Sequence, residues 1–358
     1  MTGVQTCALP ISSQEKLYST IHNSRTAITP EFRTRWGAGQ WVFGGEFADT
    51  YANTDDGKQV SQYSQSLYVQ TTQPLHSTLN LELGARTQKV GNDFQAAASA
   101  NTTSANSSKS GLSAALRHQF SDSTVLRAGV MTGFRFANAD ELYYFGSAYP
   151  YALLAINPQV KPMSTKEYFA QMEQTYATGK FDVHYRNIRA SDEIGYLYSC
   201  GIVSGVAASC NTNLYDTQRH VLSINGHWKP NASLTLKAGV DFVDATIDSG
   251  VNVGNRIPLT ARQVVRLTAE RRMDGYTLLA TSRYRSNMVQ SSDQAASLPL
   301  MPSRNVVDLG MSTSLSKTVS LSAWIRNLFD KSYYDFAQYN GLYPADGRGV
   351  FINLKASL

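Results

Sequence analysis

Apolar and polar residues alternate strictly along much of the chain, most clearly at its end. In residues 350–358 every even position is apolar, whereas Asn353, Lys355 and Ser357 are polar. A period of two residues predicts a β-strand with one apolar and one polar face. Because the outer edge of such a strand needs a partner, the pattern favours closure of the sheet into a barrel.

The same alternation recurs upstream, at residues 79–85, 234–242, 307–311 and 319–325. Past the first 25 residues the chain divides into about fifteen strand-like segments. Each has roughly ten residues, the length of a tilted membrane-spanning strand.

The connections between these segments alternate between short and long. The short ones lie near residues 74–77, 121–123, 178–180, 230–233, 273–275 and 317–318, and the long ones near 52–60, 91–108, 137–163, 192–217, 248–257, 289–303 and 337–347. Short turns at one end of a meander and long loops at the other are typical of outer-membrane barrels. The predicted fold is therefore all-β, an antiparallel meander of a transmembrane β-barrel. The alternative is a soluble β-sandwich, in which bulky side chains from two sheets fill a core and connections do not sort by length.

Composition agrees with strands and polar loops: the chain has 20 Tyr and 14 Phe, and only 16% of its residues are charged. No run of 18 apolar residues is present, so no transmembrane helix is predicted. The formal charge of +5 is spread along the chain without clusters of Lys and Arg, so nucleic acid is not expected as a partner.

Two of the three cysteines, Cys200 and Cys210, lie close together in a stretch rich in Gly, Ser and Ala. The stretch reads as a loop that a disulfide between them would hold in an oxidising compartment. The alternative is a pair of free thiols.

The first residues carry a different signal. Residues 2–11 are similar to the translation of a sequencing-library adapter, so residues 1–11, with Cys7, are predicted not to belong to the protein. Residues 12–25 are predicted to be a poorly defined lead-in, and 26–358 to form the barrel portion. The true start of the protein is expected to lie upstream.

No arrangement of residues suggests catalysis. The six histidines show no metal-ligand spacing, and no P-loop or dinucleotide-binding motif is present. No catalytic residue, metal site or cofactor is predicted, and the chain is not expected to be an enzyme.

Four segments resemble the C-terminal barrel of TonB-dependent outer-membrane receptors of the siderophore and iron-complex type. Residues 134–143 resemble the family's FRAPnldELY segment and 157–162 its NPdLKPE loop, while 327–334 match NLFDkrYy and 347–348 match the Gly-Arg before the last strand. The residues that carry the likeness are Phe134, Arg135, Glu141, Leu142, Tyr143, Asn157, Pro158, Lys161, Pro162, Asn327, Leu328, Phe329, Asp330, Tyr333, Gly347 and Arg348.

The resemblance implies an outer-membrane receptor of a Gram-negative bacterium that takes up a scarce ligand, such as a ferric siderophore or a related metal chelate. Its partners would be outer-membrane lipid and the TonB complex, the latter acting through a plug domain. A passive porin, a barrel enzyme and a soluble β-binding protein are the alternatives.

The sequence departs from the family at several points. Ala137 stands where the family usually has Pro, and Leu358 stands where it has a terminal aromatic residue. No plug domain or TonB-interacting segment is recognised. The family's barrel has about 22 strands, so the chain is expected to supply the C-terminal two-thirds, not fully closed, and to be unable to transport alone.

Ligand contacts are expected on polar strand faces and in long loops. The candidates are Arg186, Arg283, Arg285, Arg326, Tyr149, Tyr151, Tyr196 and Tyr198. Cationic side chains facing a barrel lumen attract an anionic chelate through a focused field. Their alternative role is pairing with lumen acids such as Asp182, Asp241 and Glu270, and aromatic residues near strand ends also form interfacial girdles.

Overall fold

A computed structural model describes residues 21–55, 57–96, 101–143, 155–203, 205–291, 293–338 and 341–356, with only the backbone described at 198–201 and 338. The predicted artefact at residues 1–11 lies outside this part. The described part contains twenty strands and one short helix. They are β1 (Ile21–Ile28), β2 (Glu31–Trp36), β3 (Gly39–Thr54), β4 (Gln59–His76), β5 (Leu79–Gln95), β6 (Thr103–Ser121), β7 (Thr124–Arg135), α1 (Ala139–Tyr143), β8 (Met163–Tyr176), β9 (Gly179–Ser191), β10 (Ile194–Val203), β11 (Val206–Asn213), β12 (Thr217–Asn231), β13 (Leu234–Ile247), β14 (Gln263–Met273), β15 (Tyr276–Arg285), β16 (Arg304–Ser314), β17 (Val319–Arg326), β18 (Tyr334–Gln338), β19 (Gly341–Pro344) and β20 (Gly349–Ala356).

The strands form one antiparallel meander. Its order is β1-β3-β4-β5-β6-β7-β8-β9-β12-β13-β14-β15-β16-β17-β20, with β2 also paired to β3. The first and last strands of this order, β1 and β20, pair with β3 and β17 and not with each other, so the sheet of the described residues is open. The prediction of an all-β antiparallel meander that is not fully closed is confirmed.

The first two strands act as one interrupted strand. β1 pairs with the second half of β3 and β2 with its first half. Pro30 lies between them, and because proline has no N–H it cannot donate to the ladder. Its carbonyl still accepts the N–H of Gly45 over 3.0 Å. Counted this way, the path through the described residues contains fifteen strands, where about fifteen were expected from the sequence. The described part of the sheet includes Ile21–Ile28, so strand structure is present before the boundary predicted at residue 26.

The alternation of short and long connections is present. Two details differ from the prediction, namely the length of the strands and the length of one connection. Strands in the first half are longer than the ten residues expected, up to 19 in β6. The connection predicted near residues 52–60 is also short, because β3 and β4 remain paired as far as Asn53 and Gln59. Three of the long connections contain their own structure, namely α1, the hairpin β10–β11 and the hairpin β18–β19.

The chain divides into two compact units. The first contains the residues up to Leu116 with Val130–Glu167 and Ala190–Asp216, and the second contains Arg117–Gly129, Tyr168–Arg189 and Thr217–Leu358. In the first unit, buried apolar residues cluster around α1, and they are Ala52, Val60, Phe94, Ala137, Leu142, Tyr143 and Val160. In the second, Met288, Met301 and Ala337 form a smaller buried cluster.

One face of the sheet in the second unit is apolar and exposed. Register places Leu321 opposite Leu354 and Ala323 opposite Ile352. Ile352 is 73% exposed and Leu354 is 62% exposed. Leu309 and Met311, on the same face of β16, are 39% and 41% exposed. A large exposed apolar patch marks a site of contact with another protein or with a membrane. No helix in the described ranges is long and apolar enough to cross a membrane.

Candidate functional site

The opposite face of the second unit's sheet is polar and charged. Register places Thr268 opposite both Lys237 and Thr281, and Ser312 opposite Ser322. Since side chains two residues apart on a strand point to the same side, these residues define one surface, which we call the polar face. It carries the candidate functional site.

Four arginines lie next to one another on the polar face. Arg266 of β14 is directly opposite Arg283 of β15, and Arg285 of β15 is directly opposite Arg304 of β16. Arg283 and Arg285 are two residues apart and share a face. Like charges directly opposite each other on neighbouring strands, with Cβ atoms about 4.5–5.5 Å apart, destabilise a sheet. We call this set the arginine row.

In three members of the row, the positive charge is balanced by a carboxylate. Arg266 Nη2 lies 2.6 Å from Oδ2 of Asp241, and Arg283 Nη2 lies 2.6 Å from Oδ2 of Asp308. Arg304 Nη1 donates to Oδ1 of Asp335 in β18.

Two of these carboxylates have further donors that fix them. Asp241 Oδ1 accepts the hydroxyl of Ser223 over 2.7 Å, and Asp308 Oδ1 accepts the backbone N–H of Asn327 over 2.9 Å. Asp308 is buried. Hydrogen bonds within the sheet therefore fix the positions of both carboxylates.

Arg285 is the exception in the row. It is half-buried, and its Nη2 donates to the carbonyl of Tyr334 over 3.1 Å. Its Nε and Nη1 atoms are buried and have no acceptor among the described residues. No carboxylate of the described ranges forms an ion pair with it. Arg285 is thus a cation fixed in position with unused donors.

The hairpin β18–β19 borders this end of the row. Tyr334 accepts from Arg285, Asp335 accepts from Arg304, and the Arg304 guanidinium lies 4.4 Å from the centre of the Tyr333 ring. Tyr333 belongs to the sequence motif 327–334. The motif thus contributes an aromatic face at the edge of the arginine row.

The remaining predicted arginines also lie on the polar face. Arg326 of β17 follows Ser322 and Trp324 on that face, and its guanidinium lies 4.5 Å from the centre of the Phe351 ring. Arg186 lies on the face of β9 that carries Asp182, and Asp182 accepts from Asn225 over 3.2 Å. Arg186 Nε is buried without an acceptor among the described residues.

The expected pairing of these arginines with lumen acids is partly correct. Arg283 is paired, but with Asp308 and not with one of the three acids named from the sequence. Asp241 pairs with Arg266, and Glu270 pairs with Arg272 over 3.1 Å. In each case the partner is set by the register, which a strand pattern alone does not give.

Only one of the four predicted tyrosines, Tyr196, has a described side chain. Tyr149 and Tyr151 lie outside the described residues, as does the side chain of Tyr198. Tyr196 is in β10 of the first unit. Conversely, Arg266 and Arg304 belong to the site and were not predicted, although the alternation in their strands places both on polar positions.

The first family-like motif forms a capped helix. Asn138 and Glu141 make a capping box at α1: the Glu141 N–H donates to Oδ1 of Asn138 over 2.8 Å, and the Asn138 N–H donates to Oε2 of Glu141 over 3.0 Å. Arg135 Nη1 lies 2.7 Å from the same carboxylate oxygen. Leu142 and Tyr143 are buried, and the Tyr143 ring stacks on Phe94 with centroids 4.6 Å apart.

Burial raises the pKa of the Tyr143 hydroxyl to about 12, with a smaller contribution from Asp93. The hydroxyl oxygen has no hydrogen-bond partner among the described residues. The neutral phenol is therefore the form that suits this cluster.

The second motif ties two connections of the first unit together. Asn157 Nδ2 donates to the carbonyl of Asn211 over 3.0 Å, and Asn157 Oδ1 accepts the N–H of Gln159. The Lys161 N–H donates to Oδ1 of Asn213 over 2.8 Å, and Asn213 Nδ2 returns a bond to the Lys161 carbonyl over 2.9 Å. Pro158 follows Asn157 in the sequence, and Pro162 follows Lys161.

The third and fourth motifs meet at the base of the β17–β20 connection. Asn327 and Asp330 both have a backbone φ of +50°, which these two residue types tolerate better than most. Asn327 Oδ1 accepts the N–H of Lys331 over 2.9 Å. Asp330 Oδ1 accepts the N–H of Arg348 over 2.8 Å. Leu328 donates its N–H to the carbonyl of Val307 over 2.8 Å, whereas the Phe329 side chain is exposed.

The described part of the chain supplies no group of three or more His, Cys, Asp or Glu side chains arranged as a metal site. Cys210 is buried and disulfide-bonded. The side chain of Cys200 lies outside the described residues, so its identity as the partner stays a prediction. Cys200 and Cys210 belong to the paired strands β10 and β11.

A family model for the TonB-dependent receptor-like β-barrel matches residues 8–328. The chain belongs to this family. Members of this family are receptors and transporters of the Gram-negative outer membrane. No curated protein matches the sequence.

Solved structures share the fold at low identity. The copper transporter OprC superposes with a TM-score of 0.74 at 14% identity over 95% of this chain and 57% of its own. The siderophore receptor PiuA from Acinetobacter baumannii gives 0.71 at 13% identity over 94% of this chain and 56% of its own. The FrpB iron transporter from Neisseria meningitidis gives 0.71 at 13% identity over 94% and 55%. The chain thus spans a little over half the length of these receptors.

Proposed function

We propose that this TonB-dependent receptor barrel takes up a negatively charged metal chelate, of the ferric siderophore type, across the outer membrane. The family match supports the receptor class. The arginine row on the polar face is the observation that carries the choice of an anionic ligand.

The physical basis is the charge and shape of the guanidinium groups. Arginine remains charged at any physiological pH and presents planar donors that match carboxylates and other oxyanions. Cations gathered on a surface with low-dielectric walls focus the field and raise the local concentration of an anion. The register of three neighbouring strands gathers Arg266, Arg283, Arg285 and Arg304 on one surface. Carboxylates offset three of these charges, so the row keeps one net positive charge, that of Arg285.

Two further partners belong to the proposal. The exposed apolar face, with Leu321, Ile352 and Leu354, suits the acyl chains of outer-membrane lipid. The TonB complex is the energy source that the family uses, and it would act on the whole receptor.

The test is uptake of radioactive iron by cells that lack their own ferric siderophore receptors and produce the receptor that contains this chain. A panel of anionic and neutral ferric chelates is offered to the cells, with and without TonB. We expect uptake of at least one anionic chelate that requires TonB. Uptake that is independent of TonB would instead support a passive porin, and preference for neutral chelates would contradict the assignment of the ligand.

A further inference from the structure

A groove of about 750 Å³ is open on the apolar face of the second unit's sheet. We call it the apolar groove, and its mostly apolar lining includes Phe181, Trp228, Leu236, Leu267, Ala269 and Ala280. Leu236 lies opposite both Trp228 and Ala269, and Ala269 lies opposite Ala280. Ala280 in turn lies opposite Leu309 of the apolar face. The short alanine side chains therefore form a floor between larger apolar neighbours.

One cation lies on the same face, next to the apolar groove. Arg271 of β14 is two residues from Ala269, so the two side chains point to the same side of the sheet. It lies directly opposite Leu234 of β13 and Leu278 of β15. Arg271 is exposed, and it has no ion pair or hydrogen bond within the described ranges. Its charge is therefore available to an anion from outside the chain.

We propose that the apolar groove and Arg271 together bind one anionic phospholipid, with an acyl chain in the groove and the phosphate at the guanidinium. The inference rests on the proposed function only in placing the apolar face in the outer membrane. A guanidinium matches phosphate oxygens with two parallel N–H donors, and basic side chains at a membrane surface attract anionic lipids. The charge thus selects the headgroup, and the apolar lining accommodates the chain.

The distance between the groove and Arg271 suits one leaflet of a membrane. Leu267 lies four residues before Arg271, about 13 Å along the strand. The hydrocarbon core of a bilayer is about 30 Å thick, so one leaflet contributes about 15 Å. An acyl chain whose headgroup is at Arg271 therefore reaches the far end of the groove.

The end of the sheet with the short turns is the expected place for the headgroup. Arg271 lies two residues before the end of β14 at Met273. Tyr176, which also lines the groove, is the last residue of β8 at the same end of the meander. Tyrosine and tryptophan favour the level of the headgroups. The chain would thus extend from this level towards the middle of the membrane.

The experiment measures lipid binding to the full chain in detergent micelles by native mass spectrometry. Dioleoyl phosphatidylglycerol is the anionic probe, and dioleoyl phosphatidylcholine has the same chains with a headgroup of zero net charge. We expect phosphatidylglycerol to bind about tenfold more tightly, and Arg271→Gln to remove this preference, which is the loss of one charge-assisted contact. Arg271→Lys keeps the charge and should retain most of the preference.

Matched variants separate the site from general effects of charge and bulk. Arg272→Gln removes the neighbouring cation, which lies on the polar face and is paired with Glu270 over 3.1 Å, and it should leave binding unchanged. Ala269→Trp fills the groove and should weaken binding of both lipids. Met311→Trp adds a ring on the same face outside the groove lining and should not. Far-UV circular dichroism checks that each variant is folded.

Equal affinity of the unchanged chain for the two lipids, or equal effects of Arg271→Gln and Arg272→Gln, would overturn the proposal. A dimer of the chain that Ala269→Trp dissociates would also overturn it, because a second copy would then occupy the groove. Selective lipid binding by a receptor that imports no metal chelate would keep the site and remove the proposed function. Chelate uptake that requires TonB, by a receptor without this lipid preference, would do the reverse.

Discussion

Gly347 lies so close to Asp330 that a Cβ atom at position 347 would be 3.0 Å from the carboxylate Oδ1. The same oxygen accepts the N–H of Arg348 over 2.8 Å. Two motifs that are separate in the sequence therefore form one contact, and this contact closes the connection between β17 and β20. Gly347 allows the close approach because it has no Cβ atom, and Arg348 contributes its backbone N–H.

Asp330→Ala should destabilise the protein. It removes the acceptor of the Arg348 N–H, and it places alanine at a backbone φ of +50°, which alanine disfavours. The two effects together are expected to cost about 2–3 kcal/mol. The measurement is thermal unfolding in detergent followed by far-UV circular dichroism. Asp346→Ala is the control, because only the carbonyl of Asp346 takes part in the contact; equal losses in both variants would contradict this role for the Asp330 carboxylate.

Tyr143 should make stability depend on pH at the alkaline end. Its pKa is about 12 in the folded protein, against about 10 when exposed. The unfolded chain therefore loses this proton first, so the contribution of Tyr143 is complete below pH 10 and is lost as pH rises from about 10 to about 12. The difference in melting temperature between the unchanged protein and Tyr143→Phe should be constant to pH 10 and then shift in favour of the variant.

At neutral pH the same variant should unfold at an equal or higher temperature, because the buried hydroxyl has no partner in the described structure. A clear loss of stability at neutral pH would show that the hydroxyl is hydrogen-bonded after all.

Neighbouring positions on β17 should respond oppositely to a new charge. Leu321 lies on the apolar face opposite Leu354, and Ser322 lies on the polar face opposite Asn353. Leu321→Arg should cost about 2–4 kcal/mol if the apolar face is in the middle of a membrane, whereas Ser322→Arg should be tolerated. The readout is the fraction of protein recovered folded in outer membranes. Similar recovery of both variants would argue against contact of this face with lipid.

The partner of Cys210 is open to a direct test. Since Cys210 is disulfide-bonded, it should resist alkylation by N-ethylmaleimide in the unfolded, unreduced protein, where burial no longer protects a thiol. If the partner is Cys200, Cys200→Ser should make Cys210 reactive, whereas Cys7→Ser should not. Mass spectrometry of the peptide that contains Cys210 distinguishes the two outcomes, and labelling only in Cys7→Ser would overturn the predicted pair.

Period-two patterns predicted the order and faces of the strands because side-chain direction in a strand depends only on local geometry. Val319, Leu321, Ala323 and Ile325 are thus on the face expected for them, opposite apolar residues of β20. The ends of β3 and β4 were not predicted, because pairing continued through the polar residues Asn53 and Gln59.

The site was predicted less completely than the fold. Arg283 and Arg285 could be selected from a single strand, but that they lie beside Arg266 and Arg304 depends on the register of three strands. Asp335 comes from a hairpin within a long connection, where no periodic pattern exists. The missing information was therefore tertiary: which strand positions are opposite each other and where a loop returns to the sheet.

Hydrogen bonds close the base of the β17–β20 connection, so a change in the length of the connection should not disturb the rest of the sheet. Asn327 bonds to the carbonyls of Lys331 and Asp346, and Asp330 bonds to Arg348, so both strands are joined below the hairpin β18–β19. Lengthening a loop whose ends are already held costs only about 0.6 kcal/mol for each doubling of its length. We therefore expect a foreign peptide, such as an epitope tag or a binding loop from another protein, inserted between β18 and β19 to leave the register of β17 and β20 unchanged.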